Sequence, residues 1–145
     1  MDDKETEKVR GSVDSLTDVY CKQIRSVLEF GAPVWNSGIN KEQVCDIERV
    51  QKFFLHIVLG VDYTGYADAL DKVGLDTLED TRLKLCQNFA KKAVKDPKHS
   101  NWFVEYKQTG AETRSTKNKY VAPLHRFERY SKSPIPYLTG LLNNQ

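Results

Sequence analysis

Apolar residues recur at intervals of three and four between residues 13 and 28, the spacing of one face of an amphipathic helix. Ser12 or Ser15 is the predicted N-cap of this helix, and Gly31 followed by Pro33 predicts its end. Ala32 precedes proline and is expected to be extended. The predicted apolar face consists of Val13, Leu16, Val19, Tyr20, Ile24, Val27 and Leu28. Residues 1–11, which are charged and polar, are predicted to form a disordered lead.

A second stripe with the same period follows between residues 44 and 58. Asn40, with Gln43 three residues later, has the pattern of a capping box, and Gly60 predicts the end of the helix. Its predicted apolar face consists of Val44, Ile47, Val50, Phe54, Ile57 and Val58. Between the two helices, Trp35 is expected to fold back on the core.

The stretch GYADALDK, residues 65–72, raises the question of a polymerase metal site. Its Tyr66, Ala67 and Asp68 resemble the start of a Tyr-Ala-Asp-Asp box, but the second aspartate is replaced by Ala69. Two-metal phosphoryl transfer needs clustered carboxylates. Helical spacing is shown by Ala67, Ala69, Leu70 and Val73. The stretch therefore predicts a short helix, Tyr66–Val73, that ends at Gly74 and leaves Asp68 and Asp71 in solvent.

A fourth helix is predicted to begin at Asp76 or Thr77 and to end at Asp96-Pro97. Its predicted apolar face consists of Leu78, Leu85, Phe89 and Ala93, with Cys86 alongside. Three lysines, Lys91, Lys92 and Lys95, lie near its carboxyl end. They either stabilise the helix dipole or contact phosphates.

Helical periodicity fades after residue 97, and threonine, serine, asparagine and proline become more frequent. The sequence therefore predicts three segments: the lead 1–11, a helical domain 12–97 and a basic, aromatic tail 98–145. Within the tail, Ser133–Tyr137 contains two prolines and is expected to be extended, as a docking strut or a proline-rich ligand motif.

The net charge of +2 hides a strong asymmetry along the chain. Residues 1–80 hold 9 Lys and Arg against 16 Asp and Glu, for a charge of −7. Residues 81–145 hold 13 against 4, for a charge of +9. Such asymmetry indicates either a side that faces a polyanion or two halves that neutralise each other within one fold.

Several classes of protein are disfavoured by the composition. No apolar run approaches the ~20 residues of a membrane-spanning helix, and the charged first ten residues do not resemble a secretory signal. The odd number of cysteines, three, favours reduced thiols and an intracellular location, nuclear or cytoplasmic. The cysteines and histidines show no metal-ligand spacing and no pairing with a nucleophile. We therefore expect no catalytic residues, no metal and no cofactor.

Aromatic residues alternate with basic residues in the tail, a pattern typical of nucleic-acid contact, since bases neutralise phosphates and aromatic rings stack on unpaired nucleobases. The alternative is an arm whose aromatic rings pack on the helical core. The candidate phosphate contacts are Lys91, Lys92, Lys95, Arg114, Lys117, Lys119, Arg126 and Arg129. The candidate stacking residues are Tyr120, Phe127 and Tyr130.

Five stretches in this order resemble the carboxy-terminal region of the reverse transcriptase of non-LTR (LINE-type, jockey-like) retrotransposons. They are VYCKQIRSVLEFGAPVWN (19–36), DIERVQKFFLHIVLG (46–60), LDTLEDTRLKLCQNFAKKA (75–93), RSTKNKY (114–120) and RYSKSPIPYLTGLLN (129–143). The individual motifs are weak, and the resemblance rests on their joint order. Residues 1–12 depart from the family pattern.

The resemblance implies an all-α, thumb-like bundle of about four helices with an irregular basic tail, downstream of a catalytic palm that this chain lacks. It implies a non-catalytic fragment that grips RNA–DNA hybrid or RNA weakly and without sequence preference. The alternative is an interaction module that self-associates or docks on a polymerase palm through an apolar face. An enzyme in its own right is disfavoured, since no catalytic set is visible.

Overall fold

A computed structural model describes residues 3–106, 119–124 and 126–144, with side chains from residue 11 onward. The helices in chain order are α1 (Asp3–Val19), α2 (Ser26–Glu29), α3 (Ala32–Trp35), α4 (Lys41–Leu59), α5 (Tyr66–Val73), α6 (Leu78–Lys95), α7 (Glu128–Ser131) and α8 (Pro134–Asn143). A π-helical turn, Tyr20–Arg25, joins α1 to α2, and short 3₁₀ turns lie at Gly60–Asp62 and Ser100–Trp102. Strand pairing in these ranges is limited to one isolated antiparallel bridge between Glu105 and Tyr120. The prediction of an all-α fold is confirmed.

None of the helices in the described ranges is long and apolar enough to cross a lipid bilayer.

The chain consists of two compact units, and the division between them separates the acidic part of the sequence from the basic part. The acidic unit consists of Met1–Phe30 and Asn40–Thr81, and the basic unit consists of Gly31–Ile39 and Arg82–Gln145. No charged residue lies between 31 and 39, so the acidic unit carries the charge of −7 and the basic unit the charge of +9. The predicted boundary at residue 97 does not coincide with this division.

The amino-terminal helix begins earlier than predicted. Residues 3–11 are part of α1, so the expected disordered lead is wrong over these positions. Ser15, an expected N-cap, lies inside the helix, where its Oγ donates to the carbonyl oxygen of Gly11 at 2.8 Å. Glutamate, lysine and arginine, which dominate this stretch, have high helix propensity, so polar composition by itself does not end a helix.

The π-helical turn places two polar side chains in the core of the acidic unit. Bonding from i to i+5 brings Tyr20 above Arg25 on one face, whereas residues five apart in an α-helix point about 140° apart. Tyr20 is 1% exposed and Arg25 is 9% exposed. The predicted apolar face is therefore wrong in large part, since exposure of 44–71% is found at Leu16, Val19, Ile24 and Val27.

One turn of helix follows Gly31, whose φ of 66° ends α2 as predicted. Ala32 starts α3 and is fully buried, so its expected extended conformation is wrong. Pro33 lies in the first turn of α3, where a missing N–H leaves no intrahelical bond unmade. Trp35 packs on the core of the basic unit, as predicted.

The core of the acidic unit lies between α4 and α5. Leu55, Ala69 and Leu70 are buried at its centre. Partly buried residues around them are Phe54, Leu59, Tyr63, Tyr66, Val73 and Leu75. The predicted limits of α5 are confirmed at both ends, and Gly74 ends the helix with a φ of 72°. The predicted capping box of Asn40 and Gln43 is also present.

Two polar residues of α4 that lie outside the predicted apolar face are buried in the acidic unit. Gln51 is fully buried, accepts a hydrogen bond from the Tyr20 hydroxyl at 3.1 Å and donates to the Asp76 carbonyl oxygen at 3.0 Å. Its Nε2 also donates to the Tyr66 hydroxyl at 3.2 Å. Burial raises the pKa of both tyrosines, so both remain neutral donors.

Glu48 of α4 connects this network to the start of α6. One carboxylate oxygen accepts from the backbone N–H of Glu79 at 2.7 Å, and the other accepts from the Tyr66 hydroxyl. Negative charge is favourable at a helix amino terminus. As a consequence, α4 turns Glu48, Gln51 and Leu55 inward. Two positions of the predicted apolar face are exposed, Val50 (39%) and Ile57 (63%), and Phe53 is exposed as well (66%).

The basic unit has a separate core made by α3, α6, α8 and the chain between them. Its buried members are Ala32, Cys86, Ala90, Ala93, Phe103, Tyr120 and Leu138. On α6 the predicted inward face is confirmed at Leu78, Cys86 and Ala93, which are buried, and is wrong at Leu85 and Phe89, which are 37% and 38% exposed. Burial raises the pKa of the Cys86 thiol, so this cysteine packs as a neutral side chain.

The carboxy-terminal part of the tail is a helix. Pro134 and Pro136 were expected to hold Ser133–Tyr137 extended, but Pro134 opens α8 at its first position. Proline fits there because its φ is helical and no N–H is needed. Leu138 and Thr139 of α8 are each 1% exposed. This part of the tail is therefore a component of the basic unit's core.

A buried arginine lies beside this core. Arg82 is 1% exposed, donates from Nε to Asn36 Oδ1 at 3.1 Å, and places its guanidinium 5.8 Å from the Trp35 ring centre. Asn36 also donates to the Tyr137 hydroxyl at 3.1 Å. Among the residues described, Arg82 Nη1 and Nη2 have no hydrogen-bond partner. The basic unit therefore holds a charged group whose burial is only partly compensated.

Candidate nucleic-acid interface

Three lysines of α6 project from the side of the helix opposite the core. At 100° per residue, Lys91, Lys92 and Lys95 fall within about 100° of arc. The buried Ala90 and Ala93 lie on the other side. All three lysines are exposed, and Lys92 and Lys95 lie in the last turn, where cations also stabilise the helix dipole. Both functions suggested by the sequence are therefore compatible with their position.

Lys84 lies on the same face, seven residues before Lys91, and was not among the predicted contacts. The helical period of the sequence could have identified Lys84, since residues i and i+7 are nearly aligned on an α-helix. Lys84 therefore extends the basic face of α6 by about two turns toward the amino end of the helix.

Lys119 and Tyr120 are adjacent in sequence but have different environments. Lys119 is exposed, lies 3.5 Å from the Glu105 carboxylate and has its Nζ 5.4 Å from the Tyr120 ring centre. The hydrogen bond to Tyr120, with the Glu105 charge, raises the pKa of Lys119. This lysine is a cation at neutral pH, with a carboxylate close to it.

Tyr120 is 6% exposed, and its ring packs edge-on against Phe103 at 6.2 Å. Its backbone N–H and carbonyl are both bonded to the Asn143 side chain at 3.0 Å. The ring is thus occupied by the core, which corrects its selection as a stacking residue. The alternative considered from the sequence, an arm whose aromatic ring packs on the core, describes this residue.

A second group of candidates lies around α7. Phe127 and Tyr130 are 74% and 44% exposed. Together with Arg129 and Ser133 they line an open cavity of about 500 Å³. Arg126 is exposed and precedes Phe127 in the chain. Ser133 was not predicted, and its only sequence signal is its position three residues after Tyr130.

Ion pairing distinguishes the cations of these two groups from other basic residues of the tail. Within the described ranges, no carboxylate lies within 4.0 Å of the side-chain nitrogens of Lys91, Lys92, Lys95, Arg126 or Arg129. By contrast, Lys132 is paired with Glu128 at 2.7 Å. The structure therefore places the described candidates in two sets, an α6 set (Lys91, Lys92 and Lys95) and an α7 set (Arg126 and Arg129), whose cations form no ion pair with any described carboxylate. Arg114 and Lys117 lie outside the described residues.

Asp68, of the near-match to a polymerase box, is an exposed residue of α5, and its Oδ2 accepts from the Thr64 hydroxyl at 3.2 Å. No group of three or more His, Cys, Asp or Glu residues able to hold a metal ion occurs in the part of the chain that the structure describes.

No protein-family model, curated protein or solved structure matches this chain.

Proposed function

We propose that the protein is a non-catalytic, thumb-like fragment of a retrotransposon reverse transcriptase that binds nucleic acid through backbone phosphates. The observation that carries this proposal is the segregation of charge, since the basic unit carries +9 and the acidic unit −7. The resemblance of the sequence to the carboxy-terminal region of non-LTR reverse transcriptases supplies the class of ligand, an RNA–DNA hybrid or RNA. The polymerase activity would belong to the parent protein.

The geometry of the basic unit supports a contact led by shape and charge. Exposed lysines on one face of α6 can neutralise phosphates, and the helix fixes the spacing of their Cα atoms. Hybrid duplexes are recognised mainly through backbone and minor-groove shape. With about four to six phosphate contacts, affinity is expected near the range of non-specific binding, about 10⁻⁴–10⁻⁶ M at physiological salt.

Replacing Lys91, Lys92 and Lys95 by alanine is expected to weaken hybrid binding and to flatten its salt dependence. Each lost phosphate contact reduces the slope of log K against log salt by about 0.9, so three lost contacts reduce it by about 2.7. The measurement is a fluorescence-anisotropy titration of a labelled RNA–DNA hybrid between low and physiological salt.

The matched control is a triple alanine variant of Lys22, Lys41 and Lys72, three exposed lysines of the acidic unit. It changes net charge by the same amount and is expected to leave the slope unaltered. Equal flattening in both variants would mean that total charge, and not the α6 face, governs binding. No binding of the unaltered protein at low salt would overturn the proposal.

A second candidate function, self-association, is favoured by the exposed apolar face of α4. Val50, Phe53 and Ile57 lie at helical spacing and are 39–66% exposed. Adjacent exposed apolar residues of this kind are typical of protein contacts. The same surface on two copies gives a symmetric dimer, which is the commonest soluble oligomer.

Replacing Phe53 and Ile57 by aspartate is therefore expected to shift a concentration-dependent oligomer to monomer. The measurement is light scattering after gel filtration at low and high salt, because an apolar contact is insensitive to salt. Leu124→Asp, at a fully exposed leucine of the basic unit, is the control. A monomeric mass for the unaltered protein at all concentrations would exclude this candidate.

A further inference from the structure

The cavity beside α7 has a hydrogen-bonded backbone and mainly apolar walls. Its volume, about 500 Å³, falls in the range of about 300–1,000 Å³ found for small-molecule sites. The Tyr130 N–H donates to the Phe127 carbonyl oxygen at 3.1 Å, and the Ser133 N–H donates to the Tyr130 carbonyl oxygen at 3.0 Å. These bonds form successive turns that set the backbone separation of Phe127 and Tyr130.

The two aromatic side chains that line the cavity are exposed to solvent, whereas aromatic side chains of a folded unit are usually buried. Phe127 is 74% exposed and Tyr130 is 44% exposed, whereas Phe103 and Tyr120 of the same unit are nearly buried. Every nucleobase has a π-face that stacks on such rings, so binding of this kind tolerates any sequence.

The charge of the wall selects an anionic ligand. Arg129 lines the cavity, and the acidic residue next to it, Glu128, is bonded to Lys132 at 2.7 Å. The Lys132 ammonium lowers the pKa of the Glu128 carboxyl, which keeps that pair ionised and mutually satisfied. Since no other described carboxylate pairs with Arg129 either, its guanidinium can contact a phosphate as far as the described ranges show.

We propose that this cavity holds one unpaired nucleobase, stacked on Phe127 and Tyr130, with Arg129 on the adjacent phosphate. The inference rests on the proposed function and adds a ligand class to it: a single-stranded nucleotide next to the duplex. An unpaired base is required because only a base that has left its duplex stack can present its face to a side chain. In this arrangement the α6 lysines contact phosphates of the duplex, and the residues around α7 contact the unpaired nucleotide.

The test compares two RNA–DNA hybrids with equal numbers of phosphates, one blunt and one with a three-nucleotide template overhang containing 2-aminopurine. Phe127→Ala is expected to weaken binding of the overhang hybrid about five- to tenfold, the lower end of the range for lost stacking. It is expected to leave the blunt hybrid and the salt slope unchanged. The fluorescence of 2-aminopurine should change on binding to the unaltered protein and not on binding to the variant.

Two further variants separate stacking from folding. Tyr130→Phe keeps an aromatic ring and is expected to keep the preference for the overhang, whereas Tyr130→Ala loses it. Phe30→Ala, at a similarly exposed phenylalanine of the acidic unit, is expected to leave the preference intact. Circular dichroism of each variant checks the helix content.

The outcomes distinguish this inference from the proposed function. Suppose that the unaltered protein binds both hybrids with equal affinity and with the salt slope expected for about four to six phosphate contacts. That result would contradict the base site but would still support binding through backbone phosphates. No binding of either hybrid at low salt would overturn both. Loss of the blunt hybrid in Phe127→Ala would also contradict the base site, because a base pocket should not affect duplex contacts.

Discussion

Methionine in place of Arg25 and in place of Arg82 should change stability in opposite directions. Both arginines are buried, at 9% and 1% exposure. Arg25 bonds Glu29 at 2.8 Å through Nε and donates from Nη2 to Thr81 and to the Asp76 carbonyl oxygen. Removing one partner of a buried pair leaves the other charge uncompensated, which typically costs 3–5 kcal/mol. We expect Arg25→Met to lower the free energy of unfolding by about 3 kcal/mol.

Arg82 has weaker compensation. Its replacement removes one hydrogen bond to Asn36, worth about 1 kcal/mol, and a cation–π contact with Trp35 of similar size. It also removes a buried charge. Two of its nitrogens have no hydrogen-bond partner among the described residues, and each such nitrogen costs about 1–3 kcal/mol. Methionine fills most of the same volume without polar atoms. We therefore expect Arg82→Met to be neutral or to raise stability by about 1–3 kcal/mol.

Urea unfolding checks both expectations. Circular dichroism follows the helices of the whole chain, and tryptophan fluorescence follows the basic unit, because Trp35 and Trp102 both belong to it. Arg49→Met is the control, since this arginine is exposed and its bond to Asp46 is a surface pair. Its effect should stay within about 0.5 kcal/mol. A loss above 1 kcal/mol for Arg82→Met would show that its two contacts outweigh the burial of its charge.

Leu138→Ala is expected to lower the free energy of unfolding of the basic unit by about 2–5 kcal/mol, the range for a fully buried leucine. Leu138 is 1% exposed on α8 and belongs to the core that includes Cys86 and Phe103. The substitution leaves a cavity among residues that α6 holds in place. Tryptophan fluorescence during urea unfolding measures the change.

The matched control is Leu124→Ala, at a leucine of the same unit that is fully exposed. Its midpoint should not move measurably. A small effect of Leu138→Ala, comparable to that of Leu124→Ala, would mean that α8 does not pack on the basic unit in solution. The predicted tail, residues 98–145, would then behave as an appended segment and not as part of the core.

Helix limits were the most predictable part of this protein. The capping box at Asn40, the limits of α5 and the glycines at 31, 60 and 74 are local signals, and each was confirmed. Such signals depend on φ values and on hydrogen bonds within a few residues, so a single sequence contains them. The Pro134 start of α8 is also local, but proline is compatible with both a helix start and an extended chain.

The direction that each helix faces was less predictable. On α4, Glu48 and Gln51 turn inward because they bond α5, α6 and the π-helical turn, whose residues are up to 31 positions away. A stripe of apolar residues predicts the buried face of a helix only when the polar residues of that helix form no hydrogen bonds with other parts of the core. The exposed Phe53 and Ile57 follow from that competition.

For the candidate site as well, local sequence patterns were predictable and the burial of individual side chains was not. The sequence by itself determined the charge asymmetry, and periodicity along α6 is enough to place its lysines on one face. Only the tertiary structure decided that Tyr120 belongs to the core while Phe127 and Tyr130 stay outside it, because the choice depends on Phe103 and Asn143, which are distant in sequence. Tyr120, Phe127 and Tyr130 all lie in the same alternating pattern of basic and aromatic residues. Burial, which separates them, is a property of packing and not of composition.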